Sequence, residues 1–283
     1  MSGTTVLITG CSEGGLGHGM CKAFAQKGCT VFATARTVSK MVGLAEEGCI
    51  LLQLDVKDQS SCETAVKAIL EDERSGGKID ILINNAAVAH FVPILDSTVE
   101  EMEQLFAANL FGVMRMTKLV APAMVTRRSG KILNVGSVAG EGPFGFWHAI
   151  YGASKAALHS WSIALGAELE PFNVQVSLVV VGATDSGAQE RIQKMFRLPD
   201  NSFYKPIESN ISNAIIPPAK TPVVEFAGKT ANLMLKDTVP GKWWTSKMSN
   251  IVWALTWWNP VSLGRMFGGQ NGTKELKAEI ESH

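Results

Sequence analysis

Tyr151 and Lys155 stand four apart in the string YGASK, so on a helix they share one face about one turn apart. An ammonium beside a phenol favours the phenolate and is expected to lower the phenol's pKa from its ordinary value of about 10. Such a pair suits general acid/base work nearer neutral pH. Ser137 lies fourteen residues before Tyr151, just beyond an apolar run that ends at Val135. Its hydroxyl can rest against a carbonyl oxygen while Tyr151 donates a proton to the alkoxide that forms there. Taken singly, each residue has a plainer reading: tyrosine and lysine as surface packing, serine as a turn. The other tyrosine, Tyr204, sits in a proline-rich stretch.

A second constellation opens the chain. An apolar strand pattern runs straight into TGCSEGGLG, Thr9 to Gly17, and then into a helical pattern. Glycines there permit a tight turn, let backbone N–H groups approach a pyrophosphate, and hand it to a helix N-terminus that favours negative charge. Gly10, Ser12, Gly15, Leu16 and Gly17 are the candidate cofactor residues of this turn, which also holds Gly14. A flexible surface turn is the competing reading, which the flanking strand and helix disfavour. The second strand ends in Ala33, Thr34, Ala35, Arg36, where a carboxylate would bind an NAD ribose. A cation suits a 2′-phosphate instead, so NADPH is the expected cofactor. Arg36 also fits an ordinary solvated strand end, with Lys40 as helper or bystander. Asp55 in LDV, and Asn84 and Asn85 in NNAA, end the third and fourth strand patterns. Asp55 is read as an adenine-side contact or a turn cap, and Asn85 as serving structure and cofactor together.

These residues need a scaffold that brings strand ends to one edge. Short apolar runs at Thr5 to Ile8, Thr30 to Thr34, Ile50 to Leu54, Ile79 to Ile83, Lys131 to Val135 and Val174 to Val180 read as strands. Between them, Gly17 to Lys27, Ser60 to Glu73, Glu100 to Arg127 and Tyr151 to Glu170 carry helical periodicity. That alternation predicts an α/β fold, a doubly wound parallel sheet of Rossmann type in a single domain. Residues 1–186 would form the dinucleotide-binding and catalytic core. Pro199, Pro206, Pro217, Pro218 and Pro222 mark Leu198 to Pro222 as irregular, and residues 187–222 are expected to cover the substrate. In the remaining part, 223–283, Lys229 to Leu235 reads as a helix, Gly241 to Thr245 as a last strand, and a polar helical tail starts at Lys274.

Composition narrows the function. Lysine plus arginine and aspartate plus glutamate number 26 each in 283 residues, so no net field draws the chain to nucleic acid, and a small molecule is the expected partner. Cys11, Cys21, Cys29, Cys49 and Cys62 lack paired metal-ligand spacing and read as reduced core residues on the cytosolic side, with no metal expected. No basic leader precedes the first strand, and no apolar run approaches the roughly eighteen residues needed to span a bilayer.

From about Thr4 to Ser186 these motifs, in this order, resemble the short-chain dehydrogenase/reductase superfamily. The glycine turn, the ATAR strand end and RLPDNSFY at Arg197 to Tyr204 look most like the fungal NADPH-dependent 1-acyl-dihydroxyacetone-phosphate reductases. Steroid and retinol reductases are more distant. The resemblance implies a tetrad of Asn109, Ser137, Tyr151 and Lys155, in which Asn109 organises a water leading from the lysine to solvent and Lys155 also grips the nicotinamide ribose. It places Thr184 and Ser186 on the nicotinamide side. This chain departs in the extra glycine-turn residue Gly14, in NNAA where NNAG is usual, in Val181-Gly182 for proline-glycine, and in Ser186 for threonine. If Ala87 required a positive φ, it would cost about 1 kcal/mol.

The leading expectation is NADPH-dependent reduction of a ketone on an elongated apolar or lipid-like substrate. A ketoreductase of a fungal polyketide or terpenoid pathway is the alternative enzyme. An NADPH-binding lipid-surface or scaffold protein is the alternative outside catalysis. Trp243, Trp244, Trp253, Trp257 and Trp258 crowd the closing region, where aromatic rings serve a core or subunit contact. Ile251 to Trp258, flanked by Lys242, Lys247 and Arg265, would also suit a peripheral membrane contact. A homo-oligomer in the cytoplasm is expected, and the resemblance implies association with endoplasmic reticulum or lipid droplets.

Overall fold

The computed structural model describes residues 3–142, 147–217, 219–247, 249–255 and 272–282. Among them seven strands form one sheet: β1 Thr5–Thr9, β2 Thr30–Ala35, β3 Ile50–Gln53, β4 Ile81–Asn84, β5 Gly130–Val135, β6 Val174–Val181 and β7 Lys242–Thr245. Their order is β3-β2-β1-β4-β5-β6-β7, every pairing parallel. This is the doubly wound Rossmann-type sheet that the alternation predicts.

The strands are apolar on both faces because helices cover both. The period of two then sorts alternate side chains into two cores. Val6, Ile8, Val31 and Ala33 join one core with helices α1 (Leu16–Ala25) and α8 (Val223–Met234), through Met20, Phe24, Phe226 and Met234. Leu7 and Phe32 point the other way, against α2 (Gln59–Glu71) and α4 (Gly112–Thr126), through Ile69, Met116 and Met124. Cys11, Cys21 and Cys49 lie in the first core and Cys62 in the second. Cys29 is half-buried, and all five thiols are free.

Glu100 to Arg127 reads as one helix but is three pieces. Helix α3 (Val99–Phe106) starts on a capping box of Thr98 and Glu101, a π-helical turn follows at Ala107–Phe111, and α4 completes it. Helix α5 is Ala149–Leu169. The expectation of an irregular Leu198 to Pro222 is corrected. It holds a 3-10 turn, Lys205–Ile207, and α7, Glu208–Ala214, while α6, Ala188–Met195, precedes it. Ile207, Ile211 and Ile215 repeat every four residues and build a small separate core with Trp147, Phe196 and Leu198. The surrounding prolines mask that stripe in the sequence.

Helix α8 begins at Val223, immediately after Pro222, six residues earlier than the periodicity suggests. Trp253 lies on α9, Ser249–Leu255, and the tail forms a helix, Thr273–Glu281. Trp257, Trp258 and Arg265 lie outside the described residues.

Candidate active site

A cavity of about 950 Å³ follows the carboxyl ends of the strands, across the point where β1 sends the chain first to β2 and then, on its other side, to β4. Open parallel sheets hold ligands at such a reversal. Gly10, Ser12, Gly15, Leu16, Arg36, Asp55, Asn85, Ser137, Tyr151, Lys155, Thr184 and Ser186 all line this one cavity. Gly17 and Asn109 stand behind its wall.

At the β1 end the chain turns at Gly10, with φ +75°. A Cβ there would lie 2.7 Å from the Ala86 Cα, so the turn and the β4 end approach as only glycine permits. Cys11 N donates to the Thr34 carbonyl (2.9 Å) and Glu13 N to that of Lys40 (2.7 Å), anchoring the turn beside β2. Gly14, the inserted residue, takes up φ +74°. No side chain caps the N-terminus of α1 at Gly15, leaving a helix end suited to an anion on the cavity wall. Gly17 packs tightly against Asn85 and the Gly10 carbonyl.

Arg36 is exposed at the end of β2. Asp55 lines the cavity and also accepts from Lys57 N at 3.0 Å, while Asp58 caps α2. Asn84 is buried and donates to Asn134 (2.9 Å), a purely internal bond. Asn85 Nδ2 donates to the carbonyls of Thr9 (2.8 Å) and Gly10 (3.0 Å), tying β4 to the glycine turn. Ala87 is not among the residues with positive φ, so alanine there is unstrained.

Asn109 lies in the π turn. Its Oδ1 accepts from Val88 N (2.7 Å), and its Nδ2 donates to the Val88 carbonyl (2.9 Å) and to Ser154 Oγ (3.1 Å). The side chain thus clamps the loop after β4 onto α5.

Helix α5 presents Tyr151 and Lys155 on successive turns. Ser137, extended just beyond β5, lies beside the Tyr151 phenol, and its Oγ accepts from Ala139 N at 3.2 Å. Lys155 Nζ donates to the Val135 carbonyl at 2.8 Å and lies 5.8 Å from the centre of the Tyr151 ring. The electrostatics differ from the sequence reading. Burial pushes the Tyr151 phenol above its ordinary value, against the pull of the Ser137 hydroxyl. The ammonium does not reverse this, because Lys155 is itself 3% exposed and burial brings it down to about 8.

Sequence reasoning passed over His148, Phe91 and His159. His148 stacks near Phe91 (4.2 Å) and Tyr151 (6.0 Å) on the cavity wall. His159 touches Ser137 from below, and its place two turns beyond Tyr151 is the signal that would have found it.

Residues 4–196 match the family model of the short chain dehydrogenases. The chain belongs to the short-chain dehydrogenase family. Among its relatives, the short-chain dehydrogenase ptmH of Penicillium ochrochloron is 40% identical over 213 residues, spanning 75% of this chain and 76% of that protein. The NADPH-dependent 1-acyldihydroxyacetone phosphate reductase of Schizosaccharomyces pombe is 36% identical over 265 residues, 87% of this chain and 86% of that one. A short-chain dehydrogenase of Streptomyces avermitilis superposes with a TM-score of 0.76 at 25% identity, covering 93% and 98% of the two chains. As a short-chain dehydrogenase, this protein is an oxidoreductase.

Proposed function

We propose that this short-chain dehydrogenase uses NADPH to reduce a ketone to a secondary alcohol on an elongated apolar or lipid-like substrate. The observation that carries the reading is that Ser137, Tyr151 and Lys155 open onto the same cavity as the glycine turn and Arg36. The residues fit the cofactor. The Gly10 turn lies against the Ala86 backbone as only glycine permits, which sets the turn at the cavity edge, the α1 N-terminus suits its pyrophosphate, and Arg36 suits its 2′-phosphate. Asp55, Asn85, Thr184 and Ser186 would hold the remainder. When bound, NADPH supplies the hydride.

The chain supplies the proton. With its pKa raised, Tyr151 is a neutral phenol at pH 7 and so a donor, and Ser137 can share the substrate oxygen with it. Proton loss leaves a phenolate beside Lys155, whose ammonium then stabilises it. The lysine serves the state after transfer, which is compatible with a raised resting pKa. Asn109 supports this through Ser154, which bonds the Tyr151 carbonyl at 2.7 Å.

The substrate class is supported by the far wall. There Ile192 of α6, Ile215 and Ile216 after α7, and Ile251, Val252 and Leu255 of α9 add apolar surface. Residues 187–222 thus serve as the substrate cover. Likeness to the yeast reductase favours an acyl-ketone phosphate, and likeness to ptmH favours a fungal secondary metabolite.

NADPH oxidation over a ketone panel that includes acyl-dihydroxyacetone phosphate tests the reading. Turnover should vanish in Tyr151→Phe with NADPH affinity within about 3-fold of the parent, since only the proton donor is lost. Arg36→Asp should cost NADPH kcat/KM about 10- to 100-fold while NADH is spared. NADPH binding with no turnover on any ketone would instead mark a binding or scaffold protein.

We also propose that α9 meets a lipid surface in the cytoplasm, at endoplasmic reticulum or droplets. Its Ile251 and Trp253 are more than half exposed (59% and 51%) beside the cavity. A homo-oligomer is compatible with this. Among the described residues no helix is long and apolar enough to cross a membrane, so the contact is peripheral. Cosedimentation with anionic liposomes should drop in an Ile251→Ser, Trp253→Ser double variant. Unchanged binding would remove the assignment.

A further inference from the structure

Beneath the proton-transfer residues a polar chain that the mechanism above leaves unused runs from the buried His159 out to the exposed Lys242. His159 follows Tyr151 and Lys155 on the same face of α5, one turn further along, and is 5% exposed. Its Nε2 lies 3.2 Å from the backbone nitrogen of Ser137. An amide N–H only donates, so Nε2 accepts and the proton of the neutral ring resides on Nδ1. Nδ1 in turn faces Glu141 Oε1 at 2.8 Å. The same carboxylate oxygen is 2.7 Å from Lys242 Nζ, which lies over the Trp244 ring at 5.1 Å. Glu141 closes the short 3-10 turn Val138–Glu141 for which Ser137 is the cap, and Lys242 opens β7.

The backbone is shaped around the imidazole. A Cβ at Gly136 would fall 2.4 Å from His159 Nε2, and one at Gly140 would fall 2.8 Å from its Cε1. A residue kept only for packing explains this poorly. A buried ionic group is on average no more stabilising than apolar side chains of the same volume, and this one is aimed at the residue whose hydroxyl must meet the substrate.

We propose that His159 is a positioning residue, its neutral ring accepting the Ser137 amide and so aiming the Ser137 hydroxyl, with Glu141 and Lys242 fixing the ring. This rests on the reductase reading for its catalytic consequence. The tautomer and the contact stand without it.

The chemistry carries a pH dependence. The groups facing His159 are Glu141 from the turn, Lys155 from its own helix and Lys242 from β7. Burial, aided by the two lysines, holds the imidazole below its ordinary value despite the pull of Glu141. Burial works to raise the Glu141 carboxyl, and His159 and Lys242 outweigh it, keeping it charged at lower pH. The native state therefore binds fewer protons at His159 than the unfolded chain does. The accepting form is fully present above about pH 6.5 and is lost as pH falls through the lower native value. Protonation turns Nε2 into a donor facing a donor, and Ser137 loses its anchor.

The test uses the full chain labelled with 15N-histidine, and kinetics with NADPH and its best ketone. The spectrum should show a protonated Nδ1 and an accepting Nε2 at His159. In His159→Phe, kcat should fall about 10-fold or more, the loss expected from a misplaced hydrogen-bond donor, with NADPH affinity within about 3-fold. In His159→Gln, whose carbonyl can reach the same amide, kcat should stay within about 3-fold of the parent. The parent's kcat should fall on the acid side as pH passes through the lowered native value of His159, and this limb should be missing in His159→Gln. A protonated Nε2, a parental kcat in His159→Phe, or a persisting acid limb in His159→Gln would each overturn the proposal. If His159→Phe does not fold, the glutamine variant and the spectrum decide. Retention of turnover by Tyr151→Phe would defeat the reductase mechanism while leaving the tautomer to be judged by the spectrum.

Discussion

Lys155 shows how one side chain sets function against stability. Its ammonium is buried, donates to the Val135 carbonyl, and has its pKa brought down to about 8. The ordinary lysine value is about 10.4, so the folded state disfavours the charge. Native Lys155 releases its proton before the unfolded chain does, and stability from this group rises with pH between about 8 and 10.4. Below about pH 8 the full penalty applies, on the order of 3 kcal/mol before local hydrogen bonding is counted. Lys155→Met should therefore raise unfolding free energy at pH 7 by about 1–3 kcal/mol, with a gain that shrinks as pH climbs toward 10. The same variant should lose turnover. Denaturant titrations at several pH values check this, and a variant no more stable than the parent at pH 7 would show that the carbonyl contact offsets burial.

At the scale of elements, the π turn at Ala107–Phe111 matters most to the site. It interrupts one long helical pattern and sets Asn109 facing Val88, so that a single side chain satisfies both backbone groups of that loop residue. Such turns recur at functional sites because the extra residue per turn redirects a side chain. Asn109→Ala would leave the Val88 amide, its carbonyl and Ser154 to find other partners. At roughly 1 kcal/mol for each of three hydrogen bonds, the loss should be about 2–3 kcal/mol. The denaturation midpoint should fall with an unchanged m-value, and turnover should fall further than NADPH affinity. A shift under about 0.5 kcal/mol would mean that water replaces the clamp.

Among the described residues the sheet has a core on each face, and two smaller clusters stand apart, one around Leu110, Val113 and Leu158 and a satellite under α6 and α7. The satellite shares no residue with the two sheet cores, and its Phe91, Ile192, Ala214 and Ile215 line the cavity. Regions with small separate cores open locally before the rest unfolds. Ile211 is fully buried at its centre, and Ile211→Ala should cost about 2–5 kcal/mol. Amide exchange should accelerate across residues 188–217 while the sheet strands remain protected. KM for the ketone should rise more than the Kd for NADPH. Exchange that accelerates equally in β1, β4 and β5 would show the cover and the sheet to be one cooperative unit.

The sequence by itself determined what depends on local periodicity. Alternating apolar runs and helical stripes specify the sheet, and the spacing of Tyr151 and Lys155 places them on one face because a helix repeats every 3.6 residues. Strand-end motifs had to meet at one edge once every strand was parallel. Only the tertiary structure decided the quantities summed over distant neighbours. The Tyr151 phenol is raised rather than lowered because its desolvation comes from several segments, none visible in YGASK. His159 became a partner of Ser137 only when β5 was laid against α5, and Glu141 and Lys242, 101 positions apart, met through the pairing of β6 with β7. Ala87 is unstrained, and Ile207, Ile211 and Ile215 form a separate core, because backbone angle and burial are set by what packs around them. Spacing gives direction along one element; field, burial and contact belong to the assembled fold.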